Sequence, residues 1–147
     1  MPQAINIVLN DAAATPVAHT FEPMGIDPKQ RDTFWFVDRS AVNSVGNWRI
    51  SVQYMYASAP KPGESAKGRV NRIKIGLHEP ILETMSNSTV SGILPAPQIA
   101  FINRSTHEFF MPERGTLANR KDLTKMSADL LDNAQIRAVI ENLSYLH

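Results

Sequence analysis

Cysteine is absent from all 147 residues of the chain. Its absence excludes a disulfide framework, a thiol nucleophile and any zinc site built on cysteine, and it fits a reducing compartment. Long apolar runs are also absent, so no segment is predicted to span a membrane. The first residues, MPQAINIVLND, lack the charged start and the apolar core of a signal peptide, and none is predicted.

Clustered residues of the kind that enzymes use are equally scarce. The seven glycines are scattered, which argues against a phosphate-cradling glycine loop. The four histidines show no metal-ligand spacing such as HExxH, and no serine lies in a nucleophile-elbow pattern. We therefore predict no catalytic residue, no metal and no cofactor, and a chain that is not an enzyme.

The charge of the chain is nearly balanced overall but uneven along its length. The formal net charge is +1, yet the segment from Arg49 to Lys74 holds six Lys or Arg residues and one acid, Glu64. A local basic face of this kind suits nucleic acid. The alternative is an ordinary solvated hairpin, and charge alone does not decide between the two.

Alternation of polar and apolar residues predicts a series of antiparallel strands. Residues 1–22 are predicted to form an N-terminal hairpin, after which Pro23, Gly25 and Pro28 break the regular pattern. The main sheet is predicted over residues 33–112. Its strands are TFWFV, a long strand at about 47–58, a return strand from Val70 that ends at Pro80, and a last strand at 99–111.

A helical pattern replaces the strands in the last thirty residues. Apolar residues recur at helical spacing in two groups, at i, i+3, i+7 and i+8 from Leu123 and at i, i+3, i+4 and i+7 from Ile136. Asp132 and Asn133 between them are good N-cap residues for a second helix. Before the last strand, the polar segment at 83–94 predicts a long exposed loop bracketed by prolines. At this length the chain is predicted to be one domain of the α+β class, divided into 1–22 (hairpin), 33–112 (main sheet) and 116–146 (helices).

Two facing strands carry the polar residues on one side of the predicted sheet. On the long strand, alternation places Arg49, Ser51, Gln53 and Met55 together, and it sends Trp48, Ile50, Val52, Tyr54 and Tyr56 to the apolar side. On the return strand, Arg72 and Lys74 share the polar side. If Pro112 sets the register of the last strand, Arg104, Thr106 and Glu108 lie on one face. A bulge would replace them with Asn103, Ser105 and His107.

The helices present a geometric puzzle. An apolar sheet face needs a cover, and two short helices with almost no linker can hardly fold back as a bundle over their own sheet. Amphipathic helices in this position often pack on a partner's sheet instead. The sequence therefore indicates an obligate dimer.

The order of these elements resembles the coat proteins of small single-stranded RNA bacteriophages of the levivirus type. The features that carry the resemblance are the hairpin INIVLND and VAHTFEP, the strand WRISVQYMY, the basic strand RVNRIKIGLHEP, the polar loop closing on SGILPAPQIAF, a strand ending at MP, and two C-terminal helices. The resemblance covers essentially the whole chain. It rests on order, because no short motif here is diagnostic alone.

The resemblance implies a structural coat protein whose dimers share a continuous antiparallel sheet, each subunit's helices lying on the partner's sheet. The dimers would assemble in the host cytoplasm into an icosahedral virion shell, expected to be T=3, that packages RNA. A dimer would also repress replicase translation by binding an RNA hairpin. The implied fold is an N-terminal hairpin and a five-stranded sheet followed by two dimerisation helices.

The resemblance also implies roles for individual residues. RNA contacts are expected from Arg49, Ser51, Gln53, Met55, Lys61, Lys67, Arg72, Lys74, Arg104, Thr106 and Glu108. The dimer interface is expected to contain Leu123, Met126, Leu130, Ile136, Val139 and Ile140. Contacts between dimers are expected from the 83–96 loop, with Glu83, Met85, Asn87, Gly92 and Pro95.

Three departures from the family pattern concern RNA specificity. Met55 stands where an arginine is expected, and no aromatic residue stands at Arg104, where a stacking tyrosine is expected. The loop at 59–67 is longer, and its Lys61 and Lys67 are candidates to supply phosphate contacts instead. The rival hypothesis is a dimeric RNA-binding repressor that never assembles, for which the 83–96 loop would be dispensable.

Overall fold

A computed structural model describes residues 3–84 and 95–145 of the chain. It contains six strands followed by two helices. Their bounds are β1 Ile7–Asn10, β2 Ala18–Ile26, β3 Thr33–Asp38, β4 Arg49–Met55, β5 Val70–Leu82, β6 Ile99–Pro112, α1 Leu117–Asp132 and α2 Ala134–Asn142. The prediction of an α+β fold, with a sheet first and two C-terminal helices, is confirmed.

The sheet has six strands in the order β1-β2-β3-β4-β5-β6, so each strand lies beside its neighbour in sequence. The four pairings from β1–β2 to β4–β5 are antiparallel. The strand count differs slightly from the predicted N-terminal hairpin and five-stranded sheet. The hairpin's second strand pairs with β3, and the hairpin is the first part of one continuous sheet.

Two strands continue through residues that were expected to end them. β2 runs through Pro23 to Ile26, and a bulge between Pro23 and Gly25 shifts its pairing with β3 there. Gly25 has a φ of 114°, which residues with a side chain rarely adopt. β5 runs through Pro80 to Leu82. Its pairing with β4 ends at His78, so Pro80 interrupts no hydrogen bond to that strand.

The buried core lies on one side of the sheet, here called face A. Phe21, Phe36 and Ile50 are buried there, and Ile7, Phe34, Trp48, Val52 and Leu77 pack against them. The register places these residues in rows across the strands: Phe36 lies opposite Ile50, and Ile50 lies opposite Leu77. The sequence alternation explains the rows, because every second residue of β3, β4 and β5 is apolar.

A polar pair also lies on face A, with Asp38 buried and His19 half-buried. The His19 ring and the Asp38 carboxylate form a 2.6 Å contact between Nδ1 and Oδ2, and the ring stacks on Trp48 at 4.8 Å between centroids. Ser40 donates to Asp38 from both its backbone N–H and its hydroxyl. These bonds join β2, the end of β3 and the residue before β4.

The chain forms two compact units. The first holds residues 1–57 and 71–110, and the second holds 58–70 and 111–147. In the second unit Asn133 alone separates the helices: its N–H donates to the Leu130 carbonyl, and its side chain accepts from the Gln135 N–H. One residue thus ends α1 and begins α2, the residue that the sequence identified as a cap.

An arginine holds the loop of the second unit in place. The Arg69 guanidinium donates to both carboxylate oxygens of Glu113, at 2.7 and 3.1 Å, and to the Ser58 carbonyl at 2.6 Å.

Among the described residues, no helix is long and apolar enough to cross a membrane.

Candidate nucleic-acid interface

The side of the sheet opposite the core, here called face B, carries the predicted polar row. The register sets Arg49 opposite His78, Ser51 opposite Gly76, Gln53 opposite Lys74 and Met55 opposite Arg72. Alternation on both strands therefore brings the predicted residues of β4 and β5 to one surface. Arg49, Arg72 and Lys74 are exposed, and Gln53 donates from Nε2 to Asp32 at 2.9 Å.

Contacts between β5 and β6 fix which residues of the last strand share this surface. Arg72 donates from Nε and Nη2 to Glu108 Oε1 at 3.0 and 2.6 Å, and its guanidinium carbon lies 5.0 Å from the centre of the Phe110 ring. Arg104 lines the same depression as Arg49. Of the two registers considered, the structure has the one that places Arg104, Thr106 and Glu108 on face B.

A depression of about 750 Å³ lies at one end of face B. Its apolar floor and walls include Trp35, Val37 and Ile102. Its charged lining consists of Arg39, Arg49 and Arg104, with the imidazole of His78 beside them. The described lining contains no carboxylate. Two acids contact it from outside: Asp27 accepts from the Trp35 indole at 2.9 Å, and Glu22 lies 3.4 Å from Arg39. The depression therefore favours an anion.

His78 is tied to the wall of this depression. Its Nε2 lies 3.2 Å from the Ser51 hydroxyl, and its ring centre lies 5.4 Å from that of Trp35. Gly76 makes room for the contact, because a Cβ at that position would lie 2.7 Å from Ser51 Oγ. Burial lowers the pKa of His78, and the positive charges of Arg104 and Arg49 lower it further.

Other predicted RNA contacts lie elsewhere. Lys61 and Lys67 belong to the second unit, in the segment 58–70, and both are exposed. The loop there is closed by the Lys61 N–H, which donates to the Glu64 carboxylate at 2.8 Å. Glu108, predicted to touch RNA, accepts two hydrogen bonds from Arg72.

The predicted loop between dimers falls largely outside the described residues. Met85, Asn87 and Gly92 lie in the part of the chain that is not described. Glu83 and Pro95 at its ends are described and exposed. The Glu83 N–H donates to the Gln98 carbonyl at 2.9 Å, which brings the two ends of the segment together beside β5 and β6.

The predicted interface residues of the helices are largely uncovered in the single chain. Neither helix has a buried residue. Leu123, Met126, Leu130 and Ile140 are exposed, with Met126 at 69% and Leu130 at 58%, while Ile136 and Val139 are half-buried. A helix with this much bare apolar surface is incomplete by itself.

Sequence reasoning missed four residues of face B: Trp35, Arg39, His78 and Phe110. The sequence contained a signal for His78, because it is the next residue in the alternating row of Arg72, Lys74 and Gly76. The row includes His78 when β5 is extended to Leu82. Phe110 likewise continues the row of Arg104, Thr106 and Glu108. Trp35 and Arg39 come from β3 and the loop after it, and only the register of the sheet shows that they lie beside Arg49.

The described residues include no cluster of acids and histidines that could hold a metal ion.

Comparisons with known proteins agree on one family. The model of the family described as Levivirus coat protein matches residues 2–147. The virus-like particle of bacteriophage ESE058 has a chain 42% identical to this one, with a TM-score of 0.90 over 99% of this chain and 100% of that chain. The search of curated proteins gave no match.

More distant solved structures share the fold alone. The virus-like particle of bacteriophage NT-214 is 23% identical with a TM-score of 0.78, and the alignment covers 99% of this chain and 100% of that chain. An unassembled virus coat protein dimer, described as a bacteriophage RNA-binding dimer, is 15% identical with a TM-score of 0.60 over 97% of this chain and 96% of that chain.

Proposed function

This chain belongs to the levivirus coat protein family, and on that premise we propose that its capsid role includes binding single-stranded RNA on face B. The protein is a structural coat protein of the virion and not an enzyme.

The observation that carries the RNA proposal is the row of exposed cations on one face of the sheet. Arg49, Arg72, Lys74 and Arg104 lie there without a covering element among the described residues. Their charges lie within the reach of an RNA backbone, whose phosphates are bound mainly by Lys and Arg. Ser51 and Thr106 add hydroxyls that hydrogen-bond phosphates or base edges. Binding would therefore weaken as salt concentration rises.

Of these four cations, Arg72 is the one with an acid partner in the described part of the chain. Glu108 orients its guanidinium through two hydrogen bonds, and the guanidinium lies over the face of the Phe110 ring. A phosphate that approaches this site competes with Glu108 for the same donors. Glu108 thus acts on the proposed RNA site through Arg72, and Phe110, 55% exposed, offers a ring on which a base can stack.

The dimer proposal rests on the bare apolar faces of the helices. Leu123, Met126 and Leu130 line one side of α1, and Ile140 continues the apolar surface on α2. Tyr54 and Ile75 on face A are also partly bare, and Tyr56 is 80% exposed. Two copies that lay their helices on each other's sheets would remove both surfaces from water. The six interface residues predicted from the sequence are the ones proposed to fill this contact.

Dimers of this kind are proposed to assemble into a closed icosahedral shell, expected to be T=3, in the host cytoplasm. The relative from bacteriophage ESE058 forms a virus-like particle, and its chain matches this one along its whole length. The 83–96 segment, with its ends joined at Glu83 and Gln98, is proposed to make the contacts between dimers. A dimer is further proposed to repress replicase translation by binding an RNA hairpin on face B.

The experiment that tests the function is expression of the full chain in a bacterium, followed by size-exclusion chromatography, electron microscopy and the absorbance ratio of the leading peak. Uniform round particles rich in nucleic acid are expected. A small RNA-bound dimer that never forms particles would favour the non-assembling repressor instead. Particles free of nucleic acid would overturn the RNA proposal and leave the shell intact.

A further inference from the structure

The depression on face B brings three arginines and one histidine around an apolar floor. Arg49 reaches it from β4, Arg104 from β6, and Arg39 from the loop after β3, while His78 comes from β5. Four separate elements thus direct nitrogen donors into one concave site. Only Arg39 has a carboxylate near it, that of Glu22 at 3.4 Å between two exposed side chains. Among the described residues, Arg49 and Arg104 have no ion-pair partner.

We propose that this depression binds a phosphate group of the RNA, and that His78 takes up a proton when the phosphate is bound. This inference rests on the proposed RNA-binding function of face B and adds a site and a proton to it. The ligand class is a phosphodiester whose attached base or sugar rests on the apolar floor of Trp35, Val37 and Ile102.

The electrostatics of the depression give the physical reason. In the absence of RNA, burial and the neighbouring charges of Arg104 and Arg49 lower the pKa of His78, so the imidazole is neutral at neutral pH. A bound phosphate places a negative charge among the arginines and cancels part of their repulsion. The protonated imidazole is then favoured, because it gains an anionic neighbour.

The surroundings of His78 support a shift between the two protonation states. Ser51 contacts Nε2, and its hydroxyl can donate to a neutral ring or accept from a protonated one. Trp35 packs against the ring, and an aromatic face also stabilises a cation. The charged groups around the ring are Arg49 on β4 and Arg104 on β6, with Arg39 and its partner Glu22 at the rim of the depression. The Asp27 carboxylate accepts from the indole of Trp35, the residue that packs on the ring.

Linkage gives the sign of the expected effect. If the pKa of His78 is higher in the RNA complex than in the free protein, RNA affinity rises as pH falls from the higher value to the lower one. One proton limits this rise to about tenfold per pH unit. Above both values the affinity is independent of the protonation of His78.

The test is the affinity of the full-length protein for a labelled oligouridine of about 20 nucleotides, measured at constant salt from about pH 5.5 to about pH 8. The comparison uses His78→Gln and the matched control His107→Gln, which removes a histidine from the opposite side of the same sheet. Wild type and His107→Gln are expected to bind several-fold more tightly at the acid end. His78→Gln is expected to lose that gain, so that its affinity no longer rises toward the acid end, whatever its affinity at alkaline pH.

A second measurement removes the dependence on a variant that has to fold. Nuclear magnetic resonance of the wild-type imidazoles, with and without the oligouridine, reports each histidine's titration directly. An upward shift of the His78 midpoint on RNA binding is expected. An unshifted His78, or an equal pH dependence in His78→Gln and wild type, overturns this inference while RNA binding stands. Absence of RNA binding at every pH overturns the function proposed for face B itself.

Discussion

The half-buried His19 and the buried Asp38 lie in contact across two strands, with Nδ1 and Oδ2 2.6 Å apart. Burial alone raises the pKa of the Asp38 carboxyl, but the contact with His19 and two hydrogen bonds from Ser40 outweigh burial and bring its pKa below the ordinary value. The pair therefore connects the N-terminal hairpin to β3. The Asp38 carboxylate that makes this connection is protonated only in acid.

The first prediction concerns this carboxylate. Asp38→Asn keeps the shape of the side chain but removes the charge that His19 and Ser40 contact, so the free energy of unfolding is expected to fall by about 2 kcal/mol at neutral pH. Denaturant unfolding at one protein concentration measures it. Asp129→Asn, on the exposed surface of α1, is the control and should change stability by less than about 0.5 kcal/mol.

The second prediction is the pH dependence of that difference. A carboxyl with a lowered folded-state pKa contributes stability above its unfolded pKa, about 3.9, and loses it as pH falls through the folded value. The gap between wild type and Asp38→Asn should therefore be constant near neutral pH and close only in strong acid. A gap that had already closed at about pH 6 would contradict the assignment of the effect to the Asp38 carboxylate.

The third prediction tests the proposed interface. Leu130→Asp places a charge where the partner's sheet is proposed to lie, and it is expected to abolish the soluble dimer. Lys121→Asp, on the opposite side of α1, is expected to leave the dimer intact. Light scattering on the purified proteins separates the outcomes, and a normal dimer from Leu130→Asp would contradict the interface assignment.

The fourth prediction tests the row of cations. Replacement of Arg72 and Lys74 by alanine should reduce packaged RNA and leave the fold unchanged, because both side chains project from face B and neither belongs to the core. The 260/280 nm absorbance ratio of purified particles measures RNA content. Lys121→Ala with Lys125→Ala, two cations of α1, is the matched control. Unchanged RNA content in the strand variant would remove Arg72 and Lys74 from the RNA site.

The fifth prediction concerns the loop at 58–68. Arg69→Lys keeps the charge but loses the paired contact with Glu113 and the bond to the Ser58 carbonyl, so the loop should be cleaved faster in limited proteolysis. Arg114→Lys, on the neighbouring exposed residue, is the control. Equal cleavage rates in both variants would show that the loop is held by other contacts.

Local sequence patterns predicted which residues share a face of a strand, but they did not predict where the strands end. The alternation of β4 and β5 correctly separated Ile50 and Leu77 from Arg49 and Lys74, because a pleated strand has a strict period of two. The strand ends at Pro23 and Pro80 were misjudged. Proline predicts a strand end because it lacks a backbone N–H to donate. Whether a bulge or an unpaired stretch of the strand accommodates it depends on the neighbouring strands, which lie far along the chain.

The sequence by itself determined the α+β class, the two faces of the strands, the absence of thiol chemistry and the position of the cap between the helices at Asn133. These follow from local periodicity and side-chain chemistry. Only the tertiary structure decided the register of β6, the pairing of Arg72 with Glu108 and the convergence of His78 with Arg49 and Arg104. Those relationships join strands separated by long stretches of chain, and no local pattern records how such strands align.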